Sequence, residues 1–171
     1  METWDAIRAR RNVRAYADRE VPEDALERIL EAAWRTPSST NQQAWDFVAV
    51  TEREQLRELS KVWRYGAHVG ESAATIALIA PGSGDASARE TFQYDLGQAT
   101  MSIMLAAADQ GIGSCHSAVM DQEVARANLG LPADRRCEWL ISLGYPADRP
   151  LAPIERPNRR PFMEVVHRGR W

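Results

Sequence analysis

The sequence predicts an α+β fold, with about four strands in one sheet packed by helices and a long C-terminal arm. Three observations carry this. ATIALIA (74–80) is a nearly continuous apolar run, as expected of a strand buried on both faces. Ala88 to Gln110 is apolar with helical spacing. The tail holds prolines at 146, 150, 153, 157 and 161, so it should run extended over another surface rather than fold alone.

The elements follow in order. Thr3 to Arg10 reads as a short helix with Trp4 and Ile7 on one face. Pro22 opens a second helix, Leu26, Ile29, Leu30 and Ala33 form its apolar stripe, and Pro37 stops it. AWDFVAV (44–50) reads as a strand with Trp45, Phe47 and Ala49 on one side. Glu52 to Val62 is a polar helix with Leu56 and Leu59 inward, and Pro81 to Ala86 is a Gly/Ser loop. The helix 88–110 is apolar around most of its girth, so it is central in the core or covered by a second subunit. Gly111 ends it. IGSCH (112–116) is a short strand, Asp121 caps a helix running to Leu129, and CEWLISLGY (137–145) is the last strand. The 171 residues suit one domain, or one half of an intertwined oligomer, and show no internal repeat.

Composition narrows the function. Apolar residues make up 44% and charged residues 26%, as in ordinary globular chains. No apolar run of about 18 residues exists to span a membrane as a helix. METWDAIRAR lacks an apolar signal core, so export is not expected. Cys115 and Cys137 are too far apart for a metal or redox motif and read as reduced core residues of a cytoplasmic protein. The formal net charge is −3, yet residues 155–171 hold five Arg and two Glu, a local +3 that leaves −6 elsewhere. An acidic body with basic ends is a poor nucleic-acid binder and a better match to a small anion gripped by a few arginines. With 20 Arg and a single Lys, some of the arginine content reflects codon habit.

Three segments can carry chemistry. RARRNVRAY (8–16) places Arg8, Arg10, Arg11 and Arg14 within seven residues, enough guanidinium to hold a phosphate, although alone it would read as a solvated helix face. RTPSSTNQQAW (35–45) offers backbone N–H groups and neutral donors and acceptors suited to a polyol or heteroaromatic edge, or simply stops a helix. RPNRRPFMEVVH (156–167) sets Arg159 and Arg160 between two prolines, where ordering costs less entropy.

Together these segments resemble the nitroreductase family of flavin enzymes over nearly the whole chain. The family's Arg-Arg-Ser-x-Arg motif and following aromatic are matched by Arg10-Arg11-Asn12-Val13-Arg14 and Tyr16. Its Ala-Pro-Ser-x-x-Asn-x-Gln-Pro-Trp is matched by residues 36–45, from Thr36 to Trp45. Asp95-Leu96-Gly97, Gly111-Ile112-Gly113, Leu143-Gly144-Tyr145-Pro146 and the closing Arg159 and Pro161 also correspond. The resemblance implies a central mixed, mostly antiparallel sheet flanked by helices, with the arm extending onto a partner subunit. It implies a homodimer with FMN at the interface, NADH or NADPH as reductant, and a small electron-poor acceptor such as a nitroaromatic or quinone, reduced by a ping-pong mechanism. It assigns no catalytic side chain, because the chemistry is at flavin N5.

By the same resemblance, Arg10, Asn12 and Arg159 are phosphate ligands, with Arg160 beside Arg159 in the arm. Arg11 reaches the phosphate or ribityl chain. Arg14 sits near N1 and O2, where a cation stabilises charge on the reduced ring. Pro37, Ser38, Ser39 and Asn41 match the segment given by the other subunit. Ala118 and Val119 stand near N5, where many relatives carry an acidic residue and Gly. Asn12 stands for the usual Ser and Ala44 for the usual Pro. The family's long insertions are missing, which implies an open site. No residue of 65–70 is matched to the family's polar flavin contact there. A specialised flavin reaction on this fold (dehydrogenation, dehalogenation or flavin fragmentation) and a non-catalytic flavin binder remain as alternatives.

Other residues attract attention and are discounted. His68, His116 and His167 share no metal-ligand spacing, so no metal is expected. Cys115 reads as a buried small hydrophobe, and Trp34, Trp63 and Trp139 as core. Trp171 ends an arm that docks on the partner. PGSGDAS lacks the spacing of a phosphate-binding loop.

Overall fold

The computed structural model describes residues 1–82 and 84–171; Ser83, within the predicted Pro81–Ala86 loop, lies outside them. Four strands form one sheet in the order β1-β2-β4-β3: β1 (Asp46–Val50), β2 (Ala74–Pro81), β3 (Gly113–Ala118) and β4 (Arg135–Gly144). All three strand pairs are antiparallel, and the parallel component is an isolated bridge between Asn12 and Ser114. This is the expected α+β architecture.

Helices cover both faces because β2 is apolar on both. Ala74, Ile76, Leu78 and Ala80 of β2 face α2 (Glu23–Trp34) and α5 (Ala86–Asp109). Ala77 and Ile79 face α3 (Arg53–Leu59), α4 (Ala67–Gly70) and α6 (Gln122–Leu129). One bulge corrects the alternation in β4. Leu78 pairs with Trp139 but Ile79 with Cys137, so Glu138 is the extra residue and Cys137 joins Leu140 on the second face. Strand β1 divides its side chains the same way, Phe47 to the first face and Val50 to the second.

Helix α5 buries Leu96, Ala99, Ile103, Met104, Ala107 and Ala108. Its apolar content continues onto solvent, where Tyr94 is 69% and Met101 47% exposed. On α1 (Thr3–Ala9), the predicted face of Trp4 and Ile7 is exposed too, Trp4 at 66%. Trp34 corrects an expectation: it is exposed, because it ends α2 one position beyond the buried Ala33. Helix α4 was not predicted, and the arm gains a single turn, α7 (Phe162–Val165). The start of the arm lies on the end of α1. The Ile154 N–H donates to the Arg8 carbonyl, Arg8 pairs with Glu155, and Arg11 binds Asp148 and the Arg149 carbonyl.

Two glycines position the stretch after α1. A Cβ on Gly113 would lie 2.7 Å from the Val13 side chain, and one on Gly144 would lie 2.7 Å from Tyr16. These two glycines are register partners on β3 and β4. Residues 12–16 therefore press directly on the sheet, with the Val13 N–H bonded to the Ser114 carbonyl at 2.9 Å. Burying Val13 turns its extended neighbours Asn12 and Arg14 outward, and both are exposed.

Candidate functional site

The outward Asn12 side chain opens onto a cleft of about 460 Å³, whose lining does not include Arg14. Arg10, Arg11 and Asn12 line it from the N-terminal stretch, Asn158 and Arg159 from the arm, and His116 from β3. Residues almost 150 positions apart in sequence thus meet on one surface.

The arginines divide by what they already bind. Arg8 and Arg11 are committed to Asp5, Glu155 and Asp148, and so hold the arm. Arg10, Arg14 and Arg159 make no ion pair with any carboxylate among the described residues; Arg159 donates only to its neighbour's carbonyl, at 2.8 Å. Unpaired guanidiniums beside an amide side chain form a donor set for a multiply charged oxyanion. The phosphate of FMN fits that chemistry. Arg160 lies outside the cleft lining and contacts Glu164.

The other predicted site residues lie elsewhere. None of Pro37, Ser38, Ser39 or Asn41 lines the cleft. Ser39 is held instead by Asp95, a buried carboxylate on α5 that accepts its N–H at 3.0 Å and its hydroxyl at 3.0 Å. The Gln43 N–H donates to Ser38 Oγ, and Thr40, Asn41 and Gln43 all have left-handed backbone, at φ 50°, 56° and 51°. Three non-glycine residues in that region make this loop a strained, fixed shape. Ala118 ends β3, an edge strand, and Val119 follows, packed against the second core.

Sequence reasoning missed three residues. Asp95 was seen only as the start of a motif; a carboxylate within the apolar stretch of a helix signals that something must donate to it, and of the α5 carboxylates Asp95 is the buried one. His68 lies buried on α4, with Nδ1 2.7 Å from Ser142 Oγ. Burial, with Arg14 nearby, pushes its pKa down to about 4. His116 also has its pKa lowered, by partial burial and then by Arg14 and Arg10. Ser142 further contacts Tyr16 at 2.7 Å, and burial pushes that phenol well above its ordinary range. Cys115 is buried and its thiol is pushed up by desolvation, which makes it a packing residue and no nucleophile. Among the described residues, no group of three or more His, Cys, Asp or Glu could hold a metal ion, and no helix is long and apolar enough to cross a membrane.

A two-faced antiparallel sheet covered by helices, with an arginine-lined cleft where the N-terminal stretch meets the C-terminal arm, defines an α+β class of fold. The chain belongs to the nitroreductase family, whose sequence model matches residues 7–73 and 61–145. A protein of Archaeoglobus fulgidus, with the provisional name NADH dehydrogenase/NAD(P)H nitroreductase, is 32% identical over 99% of both chains. A Methanothermobacter thermautotrophicus protein of the same provisional name is 34% identical over 100% of this chain and 88% of its own. An FMN-dependent nitroreductase of Clostridium difficile superposes with a TM-score of 0.84 at 26% identity, covering 97% of this chain and 98% of its own.

Proposed function

We propose that this protein is an FMN-dependent oxidoreductase that uses NADH or NADPH to reduce nitroaromatics, quinones or similar electron-poor acceptors. The observation that carries the reading is the meeting of Arg10, Asn12 and Arg159 on one cleft, with both arginines free of carboxylates among the described residues. FMN, when bound, supplies hydride acceptance from the nicotinamide and onward reduction of the acceptor, in a ping-pong sequence. The protein's own part is to bind, orient and tune. Arg10, Asn12 and Arg159 hold the phosphate. Arg11, already tied to the arm, fixes the cleft wall behind it. Arg14 places a cation at the electron-accepting edge of the ring.

The protein acts as a homodimer of one-domain chains (1–171), with the site completed between subunits. Two observations support this. The strained loop 38–43 is built as a rigid contact surface yet misses its own chain's cleft. A second cavity of about 610 Å³, lined by Trp4, Ile7, Met101 and Leu105, adjoins the cleft through the shared residues Arg10 and Arg159. Apolar surface of this kind beside an anion site suits a second copy. That copy would bring Pro37, Ser38, Ser39 and Asn41 to the flavin. The exposed end of the arm, including Arg160 and Trp171, would dock on the partner. Ala118 and Val119 would present backbone to the flavin ring. The buried, reduced cysteines suit a cytoplasmic setting.

An absorbance spectrum of the purified protein, before and after anaerobic NADH or NADPH, tests the reading. A flavin band near ~450 nm that bleaches is expected. A band that persists with both reductants removes the reductase activity, and no band even after added FMN removes the cofactor.

A further inference from the structure

We propose that His116 is a cofactor-contacting residue whose imidazole packs against the ring system of FMN, where the phosphate cleft opens into a second compartment. This rests on the FMN reading and adds to it a residue that the arginine motif does not contain.

Among the described residues, His116 alone of the side chains around the cleft also lines the neighbouring cavity of about 250 Å³. The other walls of that cavity are Gln93, Gly97 and Thr100 of α5 and Trp139 of β4. A ribityl spacer separates a flavin's phosphate from its ring, so the ring must leave the arginine cleft for an adjoining space. This cavity has the walls for a planar heteroaromatic. A Cβ built on Gly97 would meet no atom within 4 Å, so α5 presents an open floor there. The Trp139 indole is fixed, because its Nε1 donates to Gln93 Oε1 at 2.8 Å while Gln93 Nε2 donates to Glu138 at 2.9 Å. The His116 ring meets Trp139 edge-on, with centroids 6.1 Å apart and planes at 77°. One face of the imidazole is therefore not stacked on the indole.

The fold leaves His116 free for this contact. Its side chain is the one exposed side chain of β3, and β3 is an edge strand. The charged groups bearing on it are Arg10 and Arg14, which with partial burial favour the neutral imidazole. A neutral ring offers a stacking face and one donor and one acceptor nitrogen, without a third cation beside two arginines.

Titration of the apoprotein with FMN and with riboflavin, followed by flavin fluorescence, separates ring contacts from phosphate contacts. His116→Ala should weaken both ligands by a similar factor, about tenfold, in line with loss of one aromatic stacking partner. Arg10→Ala should weaken FMN and leave riboflavin unchanged. If His116→Ala leaves both affinities at the wild-type value while Arg10→Ala loses FMN, the His116 assignment falls and the FMN reading stands. If His116→Ala weakens FMN alone, it is a phosphate ligand and the ring contact is overturned. If Arg10→Ala changes nothing, the FMN site itself is wrong. Thermal melts of each variant confirm folding, which an exposed position should preserve.

Discussion

Residues 10–16 separate two polar regions that treat their hydrogen-bonding groups in opposite ways. Outside lies the cleft of Arg10, Asn12 and Arg159, whose two cations pair with no carboxylate among the described residues. Inside lies a closed centre of Tyr16, His68 and Ser142, and among the described residues the one buried side-chain polar atom lacking a partner is Asn128 Oδ1, outside this centre. One donor direction accounts for the centre: Nδ1–H of neutral His68 donates to Ser142 Oγ, Ser142 to the Tyr16 hydroxyl, and Tyr16 to the Val13 carbonyl at 2.7 Å. The Cys115 carbonyl, 3.1 Å away, competes for the Ser142 proton. Satisfied groups hold the chain, and charges left open are available to a ligand. The arginine-rich stretch belongs to both regions, since Asn12 and Arg14 face out while Val13 and Tyr16 face in.

The largest expected effect breaks the comparison from the outside. Arg159→Ala removes the proposed charge-assisted contact to phosphate without touching the core, because the side chain is exposed. FMN affinity should fall by roughly 30- to 150-fold, or about 2–3 kcal/mol, with the melting temperature unchanged. Fluorescence titration and a thermal melt on the same sample check it. Unchanged affinity would mean that the arm does not serve the cleft.

A second change breaks it from the inside. Ser142→Ala leaves the buried His68 Nδ1 without its hydroxyl partner and shortens the Tyr16 chain. Stability should drop by about 2 kcal/mol, the cost of an unsatisfied buried polar group. FMN affinity should stay within about twofold, because no cleft residue is lost. Urea unfolding with and without FMN measures both; a large affinity loss with little change in stability would merge the two regions.

This division explains what could be read from the sequence. The core was legible wherever apolar periodicity dominates, as in ATIALIA and the long helix α5. The arginine motif was legible as a motif, but its division into arm-holding Arg8 and Arg11 and open Arg10 and Arg14 was not. That division depends on Asp148 and Glu155, which approach only once the arm has folded back. The bulge at Glu138 was invisible because it depends on pairing with β2 rather than on local pattern. Tyr65–Gly70 gave no signal since α4 is only four residues long. Ser39 was grouped with flavin contacts by resemblance; its bond to Asp95 needs the packing of two distant segments. His116 was weighed only as a metal ligand, and its place between two cavities follows from β3 being an edge strand.

The smallest expected effect sharpens the comparison through pH. His68 titrates near 6.5 when unfolded and at about 4 in the native chain, because burial and then the charge of Arg14 disfavour the imidazolium. Between those values the unfolded chain binds more protons than the folded one. The His68 contribution to stability is therefore fully present above about pH 6.5 and is lost as pH falls towards 4. Between pH 7 and pH 5 the loss should be on the order of 1 kcal/mol, after allowing for solvent screening. Exposed carboxylates such as Glu52, whose pKa is lowered by backbone N–H bonds, add their own loss at lower pH, so the His68 share is read as a difference. His68→Gln can keep a hydrogen bond to Ser142 and cannot titrate. Its unfolding free energy should fall less steeply than wild type from pH 7 to pH 5. Parallel slopes would show that His68 is not held neutral, and the inner region would then be no more closed than the cleft outside.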